Sequence, residues 1–378
     1  MNFDEELIKL REEGNLRQIP EHLPSGILDF TSNDYLGLAS NYEFAKDFFS
    51  NFSSPIFSSS ASRLLASKQN DYNSLEELLE DNYGRPCLLF NSGYHANSGI
   101  VPALCQASKT LILADRLVHA SIIDGIVLSR SDFKRFPHND LKSAKSIIEK
   151  NYKNYQKIIV ITEGVYSMDG DSPDLEGLLN LKKEFPNILL YLDEAHSFGV
   201  KGPKGLGLAQ TTSNPDLWDV IVCPLGKAGA SMGAFVIADG IMKQYLINKC
   251  RTLIFSTALP PIQIKWSEYV IKKILESDET RKHLDQLSQE LNHTLLKYSS
   301  RLKSNVSHIQ PLIIGETLKT LEISRQLKLR GINVLPIRKP TVPPGSERLR
   351  FSLSASMKLE DIDYLDQALN SLCKENIL

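Results

Sequence analysis

Short apolar runs recur along the middle of the chain, and their spacing predicts its architecture. Residues 87–90, 110–114, 157–162, 188–193, 219–223 and 233–238 each read as a short buried strand. Most are separated by segments long enough for a helix, the alternation of a mostly parallel sheet covered on both faces. Beyond residue 240 the apolar positions take helical spacing, over 268–275 and 283–302. A shorter mixed segment closes the chain, with strands expected at 309–314, 333–337 and 348–353. The pattern predicts an α/β protein: an N-terminal arm over 1–40, a large α/β domain over 41–275 and a smaller C-terminal α/β domain over 276–378. In the arm, charges interleave with Leu7, Ile8 and Leu10 as in a short amphipathic helix. The serine-rich stretch 53–62 resembles a linker, but the helical pattern at 75–79 makes it a loop inside the large domain.

Composition narrows the field. A chain of 378 residues exceeds one typical core, and 42% hydrophobic with 23% charged residues describes a globular protein. The net charge of -2 offers no general attraction to nucleic acid or to an anionic membrane. No apolar run approaches a membrane helix, and the start is acidic where a signal peptide would be basic. Five cysteines, an odd count with no C-x-x-C pair, suggest neither a zinc ribbon nor a disulfide framework. A cytoplasmic protein acting on small molecules is the expectation.

Candidate chemistry concentrates between 188 and 229. One apolar run ends in Asp193-Glu194-Ala195-His196, and the next leads into Pro224-Leu225-Gly226-Lys227. In an open parallel sheet such strand ends form the binding crevice, so Asp193, His196 and Lys227 are expected to face one site. Singly, the aspartate could cap a helix and the lysine could be ordinary surface. Together they suit pyridoxal phosphate, whose aldehyde forms a Schiff base with a lysine and whose ring nitrogen needs an acidic partner. A nucleotide motor would need G-x-x-x-x-G-K-[ST]; here Ile221 stands at the first glycine and Ala228 follows the lysine. A dinucleotide fingerprint fails at Gln210, the third glycine of its nearest approach. The stretch Phe90-Asn91-Ser92-Gly93-Tyr94-His95 runs from strand through a glycine turn to a helix, whose N-terminus can hold a phosphate, or it is an ordinary β-α turn. His119, in Val118-His119-Ala120-Ser121, could stack on a flat ring or be structural.

Taken in order, the glycine turn, His119-Ala120-Ser121, the 162–171 segment Thr-Glu-Gly-Val-Tyr-Ser-Met-Asp-Gly-Asp, Asp193-Glu194-Ala195-His196 and Gly226-Lys227 resemble the α-oxoamine synthases, fold-type I pyridoxal phosphate enzymes. The likeness runs from Tyr35-Leu36-Gly37-Leu38 to Arg348-Leu349-Arg350. It implies Lys227 as the Schiff-base lysine, Asp193 as partner of the pyridine nitrogen and His119 stacked on the ring. Ser167 and His196 would lie near the phenolic oxygen, with Ser92, Gly93 and Tyr94 at the cofactor. Asn33 and Arg350 would hold the amino-acid carboxylate, and Thr341 would line the substrate side. The resemblance also implies a homodimer with shared sites, Ser256 and Thr257 reaching the partner's phosphate. Segments 307–315 and 340–345 look most like the member that condenses L-alanine with a pimeloyl thioester, carried on CoA or an acyl carrier protein. Relatives use glycine or serine with other acyl-CoAs. The family usually has a serine or threonine three residues before the lysine, where this chain has Pro224, which lacks both hydroxyl and N–H. Its Gly-rich Gly-Ser-Gly-Gly-Ser-Arg appears here as residues 58–63, Ser-Ser-Ser-Ala-Ser-Arg.

Overall fold

A computed structural model describes residues 3–19, 24, 26–52, 55–66, 70–106, 108–299 and 306–378. The chain forms two compact units, one of residues 36–166 and 172–281, the other of residues 1–35, 167–171 and 282–378.

The first unit is built on Cys87–Phe90 (β1), Thr110–Asp115 (β2), Asp132–Phe136 (β3), Lys157–Glu163 (β4), Ile188–Asp193 (β5), Val220–Pro224 (β6) and Ala234–Ala238 (β7). They lie in the order β1-β7-β6-β5-β4-β2-β3. β7 runs against both of its neighbours, and the pairings from β6 to β3 are parallel. Every residue of β1, β2, β5 and β7 is buried, as strands covered on both faces must be. One strand, β3, has no counterpart among the expected runs. It is an edge strand with four of its five residues exposed, and Asp-Phe-Lys-Arg-Phe carries no continuous apolar stretch to reveal it.

Alternate residues of the sheet supply one face: Leu88, Ile112, Ile159, Tyr191 and Val222 form a core with Ile100, Val101, Ile122 and Ile126 from the helices Gly93–Leu104 and Ala120–Ser129. Three of the parallel strands end on acidic groups: Asp115 closes β2, Glu163 closes β4 and Asp193 closes β5. The helices expected over 268–275 and 283–302 are Pro261–Leu275 and Asp278–Leu296. Residues 300–302 of that expectation, and 53–54 of the serine-rich stretch, lie outside the described residues.

The second unit holds an antiparallel sheet of Ile309–Ile313 (β8), Leu335–Ile337 (β9) and Arg348–Ser352 (β10), ordered β9-β10-β8. The first residues of the chain belong here because Leu28–Asp29 pairs in parallel with Ile332–Asn333, and Asn333 Nδ2 donates to Asp29 Oδ1 at 2.8 Å. The helix Phe3–Glu12 buries none of its residues. No helix among the described residues is long and apolar enough to cross a membrane.

Candidate active site

A cavity of about 300 Å³ opens at the ends of β4, β5 and β6. Its best-supported side chain is Asp193. Asn97 Nδ2 donates to Asp193 Oδ2 at 2.7 Å, and the Ala195 N–H donates to Oδ1 at 2.9 Å. Asn97 is itself locked, since Tyr191 Oη donates to its Oδ1 at 2.6 Å and its Nδ2 also reaches Ser121 Oγ at 3.0 Å. Donors on both oxygens fix the orientation of this buried carboxyl group. Its free lone pairs suit one more donor, such as a protonated ring nitrogen.

Lys227 comes from the tight connection between β6 and the antiparallel β7. The Ser231 N–H donates to Leu225 O at 3.1 Å and the Ala230 N–H to Lys227 O at 2.9 Å, closing the turn. Ala230 sits at φ 43, and Trp266 Nε1 holds its carbonyl at 2.8 Å. Gln263 and Ser267 of the same helix, Pro261–Leu275, hydrogen-bond Ser231 Oγ. The lysine is thereby presented on a fixed turn, with its Nζ 2.7 Å from His196 Nε2.

His119 caps the helix Ala120–Ser129, its Nδ1 accepting the Ser121 N–H at 3.2 Å. Burial pushes this imidazole below its ordinary range and Lys227 adds to the effect, against Asp193 and Asp124. It is therefore a neutral, flat surface near pH 7. Ser92 caps the helix Gly93–Leu104 by accepting the His95 N–H, which leaves the Gly93 and Tyr94 N–H groups for an anion. A ring-nitrogen acceptor, an amine, a neutral imidazole and a helix N-terminus around one cavity fit the functional groups of pyridoxal phosphate.

The structure gathers Ser92, Gly93, Tyr94, His119, Asp193, His196 and Lys227 on that cavity's wall. Ser256 and Thr257 lie in the same unit, beside the glycine turn: Asn91 Nδ2 donates to Ser256 Oγ at 3.3 Å and to Thr257 O at 2.6 Å. The remaining residues belong to the other unit. There Arg350 Nε donates to Ser167 O at 2.5 Å and Nη2 to Asn33 Oδ1 at 3.1 Å. Thr341 lines a cavity of about 420 Å³ that also holds Arg17, Arg338 and Lys339. The sequence left Asn97, Ser121 and Glu163 without a role. The signal for Asn97 was its place one helical turn past Gly93, and for Glu163 its place at a strand end like that of Asp193.

The sequence profile of the class I and II aminotransferases matches residues 25–369. An 8-amino-7-oxononanoate synthase of Haemophilus ducreyi is 44% identical, covering 96% of this chain and 98% of its own. The crystal structure of 8-amino-7-oxononanoate synthase from Francisella tularensis is 29% identical, with a TM-score of 0.76 over 93% of this chain and 98% of that one. A variant of serine palmitoyltransferase from S. paucimobilis, solved with a bound aldimine of pyridoxal phosphate and myriocin, shares the fold at a TM-score of 0.88 and 24% identity, covering 99% of this chain and 97% of that one. This chain belongs to the class I and II aminotransferases, of fold type I, and within them to the family of the 8-amino-7-oxononanoate synthases, acyltransferases dependent on pyridoxal phosphate.

Proposed function

We propose that the chain condenses L-alanine with a pimeloyl thioester, releasing carbon dioxide and the free thiol carrier, as a step of biotin biosynthesis. The observation that carries the reading is the pairing on one wall of a donor-locked Asp193 with a turn-mounted Lys227, in a chain 44% identical to a synthase of that name. When bound, pyridoxal phosphate supplies the electron sink for the carbon beside the amino-acid carboxylate. Asp193 holds the proton on the ring nitrogen that makes the sink effective. Lys227 carries the cofactor between turnovers, and its amine takes the Cα proton and later returns one. His119 would offer its neutral ring as a flat surface to the cofactor. His196 and Ser167 hold protons at the phenolic oxygen, while Ser92, Gly93 and Tyr94 bind the phosphate. Arg350, with Asn33, grips the amino-acid carboxylate through its guanidinium fork.

The pimeloyl assignment is supported by charge in the second unit. A pimeloyl chain ends in a carboxylate, which acetyl and palmitoyl groups lack, and the cavity with Thr341 is lined by Arg17, Arg338 and Lys339. Burial, and after it the neighbouring Arg17, hold the Arg338 guanidinium below its ordinary range, and an anion bound there would offset both. Ser256 and Thr257 reach the partner's phosphate in a homodimer.

Product analysis of purified protein with L-alanine and either pimeloyl-CoA or pimeloyl-acyl carrier protein tests the reaction and distinguishes the carriers. Faster condensation of glycine with acetyl-CoA would assign the chain a sister activity. The purified protein should be yellow, and Lys227→Ala should abolish both that absorbance and turnover. Turnover persisting in the alanine variant would remove Lys227 from the chemistry.

A further inference from the structure

β4 and β5 end side by side on acids. Glu163 is the register partner of Asp193, each is 3% exposed, and both line the cofactor cavity. Their donors are unequal. Asp193 receives the Asn97 side chain and the Ala195 N–H, one on each oxygen. Glu163 Oε1 receives the His119 N–H at 2.5 Å. The other charged groups near Glu163 are Lys227, engaged with His196, and Asp115 at the end of β2, which serves His138 and the Leu117 and Asn139 N–H groups. Two adjacent buried carboxyl groups sustain one negative charge far more readily than two, and the member with more hydrogen-bond donors is the better placed to keep it.

We propose that Glu163 is a positioning residue that works as the neutral acid of this pair: one oxygen anchors the main chain of His119, and its retained proton leaves the negative charge on Asp193, opposite the cofactor's ring nitrogen. The role explains a buried carboxyl that the reaction itself does not use. It also explains how the two strand ends can both be acidic without supplying two counter-charges for one ring proton. Burial pushes the Glu163 carboxyl well above the carboxylate range; Asp193 and Asp115 push the same way, against Lys227 and the His119 N–H.

The test compares Glu163→Ala and Glu163→Gln with the natural protein, each reconstituted with pyridoxal phosphate. The readouts are the cofactor dissociation constant and the pH titration of the bound cofactor's visible band. Glu163→Ala strands the His119 N–H and should weaken cofactor binding about tenfold. Glu163→Gln supplies a neutral acceptor of nearly the same shape. It should recover that affinity and keep the titration midpoint within about half a pH unit. A midpoint moved by about one unit or more in the glutamine variant would show that the site uses a charged Glu163 and would overturn the proposal. So would natural cofactor affinity in the alanine variant. Because the glutamine variant disturbs packing least, its midpoint decides the matter even if the alanine variant folds poorly.

Discussion

Pro224 shows how a single residue can alter a site while leaving its chemistry in place. It ends β6 opposite Ala234, and its ring presses on the glycine turn: a Cβ on Gly93 would lie 2.5 Å from Pro224 Cγ and 2.9 Å from its Cβ. Where the family resemblance leads one to expect a hydroxyl, this chain has a rigid wedge against the start of the helix Gly93–Leu104. Gly93→Ala should therefore weaken cofactor binding. Overpacking costs about 1 to 3 kcal/mol, a factor of roughly ten to a hundred in affinity. Pro224→Gly removes both crowding atoms, so adding it to Gly93→Ala should restore most of the loss. Cofactor titration of the single and double variants closes the cycle. Additive effects would mean that the two residues do not compete for this space. At the same scale, the meeting of Asp193 and Lys227 on one cavity was readable because each follows an apolar strand. Asn97 could be placed one helical turn past Gly93, but its role was not legible, because the Asp193 carboxyl it holds lies 96 residues away.

The elements that hold the site are the strands and two crossing helices. The buried strands were visible as apolar runs, whereas β3, an edge strand dressed in charge, was hidden. The crossing of Gly93–Leu104 with Ala120–Ser129 was also hidden, because it depends on one small residue. A Cβ on Gly125 would lie 2.7 Å from the Asn97 carbonyl oxygen and 3.1 Å from Val101 Cβ. One helix supplies Asn97 and the other begins at His119, so separating them disturbs both walls of the cavity at once. Gly125→Ala would gain about 1 kcal/mol of helix propensity, against about 1 to 3 kcal/mol of overpacking. Backbone cannot yield as a side-chain tip can, so the cost should win. We expect Tm to fall by roughly 2 to 6 °C, together with weaker cofactor binding. Thermal unfolding with and without pyridoxal phosphate measures both, and an unchanged Tm would show that the helices part freely.

At the scale of the whole molecule, the sequence pattern announced two kinds of architecture along the chain. It could not announce that residues 1–35 belong with the C-terminal segment, because the pairing of Leu28–Asp29 with Ile332–Asn333 spans nearly the entire sequence. One exposed apolar strip is equally invisible to local pattern. The stretch 56–65 runs beside 255–262, tied by the Ile262 N–H to Ile56 O, the Ala258 N–H to Ala61 O and the Ser62–Thr257 bridge. This strip exposes Ile56, Phe57, Leu64, Leu65 and Phe255, with Phe57 at 71% and Leu65 at 79%. Scattered apolar side chains are ordinary on a surface, but a strip of large ones marks an interface. A second copy of the chain is the proposed occupant, and Ser256 and Thr257 lie within the strip, where they would meet the partner's site. Phe57→Asp with Leu65→Asp should give a monomer in sedimentation. It should also weaken pyridoxal phosphate binding by about tenfold or more, since each hydrogen bond lost to a charged phosphate costs about 1.5 to 3 kcal/mol. Circular dichroism distinguishes this outcome from unfolding. A folded monomer that binds the cofactor as tightly as the natural protein would show that each chain completes its own phosphate site, and that Ser256 and Thr257 act at home through Asn91 rather than across the interface.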